Sequence, residues 1–159
     1  MTDSENNENA FTLKIITEII KSGESVCFTG TGNSMLPTIN PETDKIILSP
    51  VNRRLKKGDI CFYLREENKP VTHRIYKIKK DRYCMKGDNQ YWLEKDVPEE
   101  NIIAVATKII RNGKEIPLDG NFTRYKAHLK AVKKRVVIFI KGKIHSAYLA
   151  YKKMKDSRR

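Results

Sequence analysis

Short β-rich runs, each bounded by turn residues, fill most of the chain between residues 25 and 118. Runs of this length that are rich in Ile, Val, Tyr and Phe predict strands rather than helices. The strongest local signal is Asn112-Gly113, a dipeptide typical of two-residue hairpin turns. The predicted strands cover residues 25–29, 44–48, 59–64, 71–78, 82–85, 102–110 and 115–118. Many short strands joined by turns predict a mainly β fold, a coiled and partly closed antiparallel β domain.

Helical periodicity is confined to the two ends of the chain. Residues 11–21 place Ile16 and Ile20 one turn apart with charged residues between them, and Gly23 follows, which predicts an amphipathic helix. Residues 124–154 repeat apolar side chains at helical spacing, which predicts one kinked helix or two. The predicted organisation is a disordered N-terminus (1–10), a β domain with a leading helix (11–120) and a basic amphipathic helical tail (121–159).

The formal net charge of +13 belongs almost entirely to the last quarter of the chain. Residues 121–159 contain thirteen Lys or Arg and one acid, whereas the first 120 residues contain nineteen bases and eighteen acids. A basic helix with one apolar face can lie on an anionic membrane, where each cation contributes up to about 1 kcal/mol. Nucleic acid is not the expected partner, because the basic segment has no helix-turn-helix pattern and little interleaving of aromatic with basic residues. A solvated helix packed on the domain is the other interpretation.

The sequence contains no run of the roughly 18–20 apolar residues that a membrane-spanning helix requires. The acidic N-terminus is unlike a secretory signal, so we expect a cytoplasmic or peripheral membrane protein. The three cysteines, Cys27, Cys61 and Cys84, lie in apolar runs without metal-like spacing. They are expected to be buried, reduced thiols.

Three clusters in the β region contain residue types suited to nucleophilic catalysis. Residues 32–38 (Gly-Asn-Ser-Met-Leu-Pro-Thr) place Ser34 after a Gly-Asn turn, where its hydroxyl can be exposed beside backbone N–H groups. His73 lies inside an apolar run, and Asp88 lies in a Lys-Gly-Asp-Asn turn. Each cluster alone also fits an ordinary turn or an ordinary strand histidine.

Taken together and in this order, the clusters resemble the type I signal peptidases and their relatives, the self-cleaving LexA-like repressors. Residues 32–38 are similar to the Gly-x-Ser-Met-x-Pro-Thr box around the nucleophile of those families. The other matching boxes are Lys-Gly-Asp-Ile at 57–60, Thr-His-Arg-Ile at 72–75, Lys-Gly-Asp-Asn at 86–89, Val-Pro at 97–98 and Asn-Ile-Ile-Ala at 101–104. The resemblance covers about residues 25–110.

The resemblance implies a serine endopeptidase whose nucleophile is Ser34. Bacterial signal peptidases have a lysine base, but His73 stands at the matching position, as in the endoplasmic-reticulum and archaeal enzymes. Histidine suits this role near neutral pH, because its ordinary pKa is about 6.5. Asp88 is the expected third member of a triad, and Asp96, about two residues from a second family aspartate, is the alternative. In a regular strand Lys77 would share the face of His73, so it is the lysine to exclude.

Four neighbours of Ser34 are expected to form the oxyanion and substrate-binding region: Gly32, Asn33, Met35 and Pro37. The Ser34 backbone N–H would meet the oxyanion. Some relatives add a hydroxyl two residues before the nucleophile, and Gly32 has none.

The activity that the resemblance implies is cleavage of a leader or pro-peptide after a small residue, by a Ser–His–Asp mechanism without metal or organic cofactor. Signal peptidases of this type normally carry a transmembrane anchor before the serine box, where this chain has the helix predicted over residues 11–21. A self-cleaving regulator of the repressor kind is one alternative, but it predicts a Ser–Lys dyad and a preceding DNA-binding domain. A non-catalytic module that presents its basic tail to a membrane or nucleic acid is another. The presence of Ser34, His73 and Asp88 together favours the peptidase.

Overall fold

The computed structural model describes residues 3–65, 69–80 and 82–118. Every strand pairing in this part of the chain is antiparallel. Its helix and strands are α1 (Asp3–Lys21), β1 (Val26–Phe28), β2 (Asp44–Ser49), β3 (Ile60–Leu64), β4 (Pro70–Lys79), β5 (Arg82–Lys86), β6 (Glu94–Pro98), β7 (Ile102–Arg111) and β8 (Lys114–Pro117). The predicted mainly β, antiparallel fold is confirmed.

The strands form one open sheet. Its path runs β1-β2-β7-β3-β4-β5-β6, and β8 pairs with β7. The β7–β8 hairpin turns at Asn112 and Gly113, whose φ angles of 51° and 74° are both positive, as a type I′ turn requires. Strands β3 and β4 lie in the interior of the path, so each is paired with a neighbouring strand on both sides.

Strand β3 separates two apolar cores, because consecutive side chains of a strand point to opposite faces. Phe62 belongs to the core that includes α1, called the helix-side core, and Tyr63 belongs to the far-side core. The helix-side core consists of Ile16, Ile20, Met35, Ile39, Ile46, Leu48, Ile60, Phe62, Ala104, Ala106, Ile109 and Leu118. The far-side core consists of Leu55, Cys61, Tyr63, Ile75, Tyr83, Met85, Val97 and Val105.

Helix α1 begins at Asp3 and therefore includes most of residues 1–10. The sequence prediction started it at Phe11, because the apolar repeat on which that prediction rests begins there. Ile16 and Ile20 are buried against the sheet, as expected from their spacing. Gly23 ends the helix with a φ of 92°, a conformation that glycine adopts readily at a helix C-terminus.

Strand β6 and the exposure of Cys27 differ from the sequence predictions. No strand was predicted between residues 85 and 102, because the Glu-Lys-Asp start of β6 has no apolar alternation. A strand with charged residues is tolerated at the end of a sheet, where β6 lies. Cys61 and Cys84 are buried free thiols, whereas Cys27 is exposed on the end strand β1.

Several sequence predictions fall on residues outside the described ranges. They are the domain boundary at residue 120, the basic tail 121–159 and its helices. In the described part of the chain, no helix is both long enough and apolar enough to cross a membrane.

Candidate active site

Ser34 lies in a series of tight turns between β1 and β2. The Leu36 N–H donates to the Asn33 carbonyl at 3.3 Å, and the Ile39 N–H donates to the Met35 carbonyl at 3.0 Å. The Met35 side chain is buried in the helix-side core, while Ser34 is half-buried. Met35 therefore anchors the turn and leaves the neighbouring serine near the surface.

The Lys-Gly-Asp-Asn box holds the backbone of this serine turn. The Asn89 N–H donates to the Ser34 carbonyl at 2.7 Å, and Asn89 Nδ2 donates to the Asn33 carbonyl at 3.1 Å. A Cβ at Gly87 would lie 2.7 Å from the Ser34 carbonyl oxygen and 2.8 Å from Gln90 Oε1. Position 87 thus has no room for a side chain.

Asp88 connects the serine box to β4. Arg74 donates to both carboxylate oxygens, from Nε to Oδ1 at 2.8 Å and from Nη2 to Oδ2 at 2.7 Å. The Thr38 hydroxyl donates to Asp88 Oδ2 at 2.5 Å. Asp88 therefore acts as a clamp between the serine box and the strand that carries His73.

Alternation along β4 explains why Asp88 lies away from the imidazole, in contrast to the expected triad. Arg74 and His73 are adjacent, so their side chains point to opposite faces. His73 is opposite Cys61 in the β3–β4 register and lies on the far-side face. Asp88 is paired with Arg74 and therefore lies on the face of the sheet opposite to His73.

The carboxylate that contacts His73 belongs to Glu94, the first residue of β6. His73 Nδ1 lies 3.0 Å from Glu94 Oε1 and 3.1 Å from the Tyr63 hydroxyl. The register brings these groups together, because Met85 is opposite Ile75 on β4 and opposite Glu94 on β6. Opposed side chains share a face, and Ile75 is two residues from His73, so Glu94 and His73 point to the same side.

Three groups hold the Glu94 carboxylate in its ionised form. The Tyr63 hydroxyl donates to Oε2 at 2.6 Å, Arg65 Nε donates to Oε2 at 2.8 Å, and Arg65 Nη2 donates to Oε1. Burial acts to raise the pKa of Glu94, but hydrogen bonds from His73, Arg65 and Tyr63 outweigh burial and lower the pKa to about 2. Burial raises the pKa of Tyr63, so its phenol keeps the proton that it donates.

This network prepares the imidazole to act as a base. An ionised carboxylate beside Nδ1 keeps the proton on that nitrogen and leaves Nε2 as a proton acceptor. His73 is only 1% exposed, so water does not compete for Nδ1. The same carboxylate stabilises the imidazolium that forms when Nε2 is protonated.

Gly87 connects the Ser34 turn with the β4–β5 strand pair. Gly87 directly follows the Arg74–Lys86 pair, which places it beside His73 in the register, and it packs against the Ser34 carbonyl. In the described part of the chain, no hydrogen bond joins the Ser34 hydroxyl to the imidazole. In substrate-free enzymes this bond is often long and shortens when substrate binds.

The four residues expected around the oxyanion differ in exposure. Gly32, with a φ of 83°, Asn33 and Pro37 are exposed around the serine turn, whereas Met35 is buried. The first three are therefore accessible to a substrate, and Met35 acts by packing.

The two alternative residues considered for the mechanism, Asp96 and Lys77, are both exposed. The Asp96 backbone carbonyl accepts a hydrogen bond from Arg82 at 3.2 Å. A β-bulge between Ile75 and Lys77 interrupts the alternation that would place Lys77 on the His73 face.

An open cleft of about 300 Å³ adjoins the serine turn. Ser34 and Gly32 line it, together with residues of α1 and of the sheet. Thr72, the neighbour of His73, also lines it. A peptide bound in this cleft would therefore lie against the Ser34 turn.

The low pKa of Glu94 predicts acid-dependent stability. Its folded-state pKa of about 2 is below the ordinary 4.5, so the contribution of Glu94 is fully present above pH 4.5 and is lost as the pH falls towards 2. We expect the free energy of unfolding of the wild type to fall more steeply than that of Glu94→Gln between about pH 6 and about pH 3. Urea unfolding at a series of pH values measures this. Parallel pH profiles for the two proteins would contradict it.

Glu94, Tyr63 and Arg65 form contacts that the sequence analysis did not assign. Cys61, which is opposite His73 in the register, is followed at intervals of two residues by Tyr63 and Arg65. This spacing places the Tyr63 and Arg65 side chains on the same face of the sheet as His73. That signal becomes visible only once the pairing of β3 with β4 is known.

A family model described as Peptidase S24-like matches residues 1–110. The matched span contains Ser34, His73 and Glu94, and the match confirms the resemblance to the LexA and signal peptidase superfamily. No match was found among curated proteins or among solved structures. Because the matched span exceeds half of the 159 residues, the chain belongs to the Peptidase S24-like family.

Proposed function

We propose that this protein is a serine endopeptidase with Ser34 as nucleophile, His73 as general base and Glu94 as the carboxylate partner of the base. The observation that carries the proposal is the contact between the buried His73 Nδ1 and Glu94 Oε1, at 3.0 Å, on the strand that Asp88 clamps to the serine box. Family membership supports serine peptidase chemistry or self-cleavage of the LexA kind.

In the proposed reaction, Ser34 Oγ attacks the carbonyl carbon of the substrate peptide while His73 Nε2 takes the hydroxyl proton. The tetrahedral intermediate collapses, and Nε2 passes this proton to the leaving amine. Water then attacks the acyl-enzyme, again losing a proton to Nε2, and Ser34 regains its proton as the acid product leaves. Glu94 stabilises the imidazolium in both half-reactions. The Ser34 backbone N–H is the proposed donor to the oxyanion.

The proposed substrate is a leader or pro-peptide that is cut after a small residue. This part of the proposal rests on the resemblance of residues 32–38 to the signal peptidase box. The basic tail, residues 121–159, is proposed to hold the protein on an anionic membrane, where such substrates emerge.

Self-cleavage is the second candidate, supported by the same family match. The pairing of His73 with Glu94 favours a histidine base over the lysine base of the repressors. If each molecule cleaves itself, the rate constant for disappearance of the full-length chain would not depend on protein concentration.

The test compares wild type with Ser34→Ala on peptides that contain Ala-x-Ala, with anionic liposomes in half of the reactions. We expect cleavage by wild type alone, and a peptide-derived acyl group on Ser34 when the reaction is quenched with acid and read by mass spectrometry. Equal cleavage by Ser34→Ala would refute the assigned nucleophile. Absence of cleavage of every peptide and of the chain itself would favour a non-catalytic binding module.

A further inference from the structure

Two lysine ammonium groups lie near the ring of one tyrosine at the surface of the sheet. The Lys57 Nζ is 5.4 Å from the centre of the Tyr76 ring, and the Lys86 Nζ is 5.8 Å from it. The tyrosine is 38% exposed, and Lys57 is exposed as well. Lys57, Tyr76 and Lys86 are together called the lysine–tyrosine cluster, and it is open to solvent.

The tyrosine ring holds two like charges close together. The face of an aromatic ring attracts a cation that lies within about 6 Å of its centre. The two ammonium groups are therefore at most about 11 Å apart, the sum of their distances from the ring. Charges of the same sign repel each other, whereas an anionic group placed between them is attracted by both. The cluster is therefore suited to bind an anionic group.

The two acidic residues nearest to the cluster in sequence already have arginine partners. Asp59 Oδ2 lies 2.7 Å from Arg53 Nη1, and both carboxylate oxygens of Asp88 accept hydrogen bonds from Arg74. An ion pair has no net charge, so these carboxylates do little to offset the positive potential of the two lysines.

The cluster adjoins the clamp that holds the serine box. Lys86 is opposite Arg74 in the β4–β5 register, so the two side chains share a face of the sheet. Gly58, which directly follows Lys57, accepts a hydrogen bond from Arg74 Nη1 at 2.7 Å through its carbonyl. Both lysines therefore lie next to the arginine that pairs with Asp88.

The distance from Ser34 to the cluster corresponds to a few residues of an extended peptide. Gly87 directly follows Lys86, and a Cβ at Gly87 would lie 2.7 Å from the Ser34 carbonyl oxygen. Adjacent Cα atoms are about 3.8 Å apart and a lysine side chain reaches about 6 Å, so the Lys86 ammonium lies within roughly 15 Å of that oxygen. An extended chain advances about 3.3 Å per residue, so a side chain up to about five residues from the cleaved bond can reach the cluster.

We infer that the lysine–tyrosine cluster binds an acidic segment of the peptide substrate, within about five residues of the cleaved bond. The inference rests on the proposed function, because it adds a second contact to the same substrate. Among the described residues that line the cleft beside Ser34, none is charged, so the cluster would supply selection by charge that the cleft lacks.

A peptide suits the cluster better than an anionic lipid or a nucleic acid does. Any peptide bound at Ser34 already has its neighbouring residues within reach of the two lysines. The second contact is then made within one complex, and the high effective concentration of the acidic side chains favours it. Two Glu or Asp side chains can engage the two ammonium groups together.

Binding to the inactive Ser34→Ala chain tests the inference without requiring cleavage. Three fluorescent peptides share one Ala-x-Ala core: the reference has Gln at the fourth and fifth positions on both sides of the cleaved bond, and each of the others has Glu instead on one side. We expect one Glu peptide to bind about fivefold or more tightly than the reference in about 0.1 M NaCl. The advantage should fall to about twofold or less in about 1 M NaCl, because the Debye length falls from about 10 Å to about 3 Å. Fluorescence anisotropy measures the Kd values.

Neutralising the cluster should remove the Glu preference. Lys57→Gln combined with Lys86→Gln, made in the Ser34→Ala chain, is expected to reduce the preference to about twofold or less. Lys45→Gln combined with Lys114→Gln is the matched control, because it removes the same charge from exposed lysines on β2 and β8. We expect the control to keep a preference of about fourfold or more.

Equal Kd values for the Gln and Glu peptides, or no measurable binding of either Glu peptide, would overturn the inference. A Glu preference that survives neutralisation of the cluster would also overturn it, because another basic segment, such as residues 121–159, would then be responsible. An equal loss in the control would overturn it too, since net charge alone would explain the preference.

Binding to vesicles of anionic lipid and to a single-stranded oligonucleotide is measured with the same variants. If the Glu peptides show no preference and neutralising the cluster weakens one of these interactions alone, the cluster belongs to that partner and the inference is wrong. Cleavage of the Gln peptide by wild type is measured separately. Loss of the Glu preference therefore leaves the proposed peptidase activity standing, and absence of cleavage leaves the binding result interpretable.

Discussion

Replacing Glu94 with glutamine is expected to lower kcat/KM for peptide cleavage by on the order of 10³–10⁴-fold. The amide has nearly the same shape, but it carries no charge to stabilise the imidazolium of His73. Its NH₂ group also favours the tautomer in which Nδ1 accepts a hydrogen bond, which puts the proton on Nε2, the nitrogen that must accept the proton of Ser34. Steady-state cleavage of a fluorogenic peptide at about pH 7.5, near the range in which histidine acts as a base, measures the loss.

Asp96→Asn is the matched control for this experiment. It removes one carboxylate from the same strand by the same chemical change, and Asp96 is exposed. Asn also tolerates the positive φ of 60° at that position. We expect Asp96→Asn to change kcat/KM by less than about threefold, in line with the small effects of exposed substitutions.

Asp88→Asn distinguishes the structural role of Asp88, the clamp between the serine box and β4, from the role of Glu94 as the partner of His73. The substitution weakens the bidentate pair with Arg74, so we expect a loss of thermal stability together with a smaller loss of activity than that of Glu94→Gln. If Asp88→Asn instead lost 10³-fold or more with unchanged stability, while Glu94→Gln remained active, the assignment of Glu94 to His73 would be wrong.

The strands were predictable from local sequence because their signals are local. Alternating or continuous apolar runs identify β2, β3 and β7, and Asn112-Gly113 identifies the β7–β8 turn. Strand β6 gives no such signal, because its first three residues are charged. Its pairing with β5 is what makes it a strand, and pairing is a long-range property.

The same distinction applies to the site. The boxes around Ser34 and His73 are continuous in sequence and could be found from their residue types. The choice between Asp88 and Glu94 depends on which face of the sheet each carboxylate occupies. A shift of one residue in register reverses the face of every side chain in a strand, and both the β4–β5 and β5–β6 pairings contain register shifts. Counting residues along the chain therefore does not determine which carboxylate reaches His73.

Gly87→Ala is expected to lower kcat/KM by on the order of 10²-fold, although it adds only a methyl group. The new Cβ would lie 2.7 Å from the Ser34 carbonyl oxygen, a distance that real Cβ atoms do not adopt, so the serine turn must move. Displacement of a reacting group by about 1 Å is sufficient for a loss of this size. Peptide cleavage and thermal unfolding of the same preparation measure activity and stability together.

Two further variants show whether the loss arises from displacement of Ser34. Gly113→Ala introduces the same methyl group into the β7–β8 turn, where the φ of 74° makes alanine strained but no atom lies within 4 Å. We expect it to lower stability and to retain kcat/KM, which is the reverse of the Gly87→Ala result. The second variant, Gly87→Ala combined with Gln90→Ala, removes the close contact with Gln90 Oε1 but keeps the contact with the Ser34 carbonyl. Continued inactivity of the double variant would assign the effect to the Ser34 backbone. Recovery of activity would assign it to Gln90 and would remove Gly87 from the set of residues that position the nucleophile.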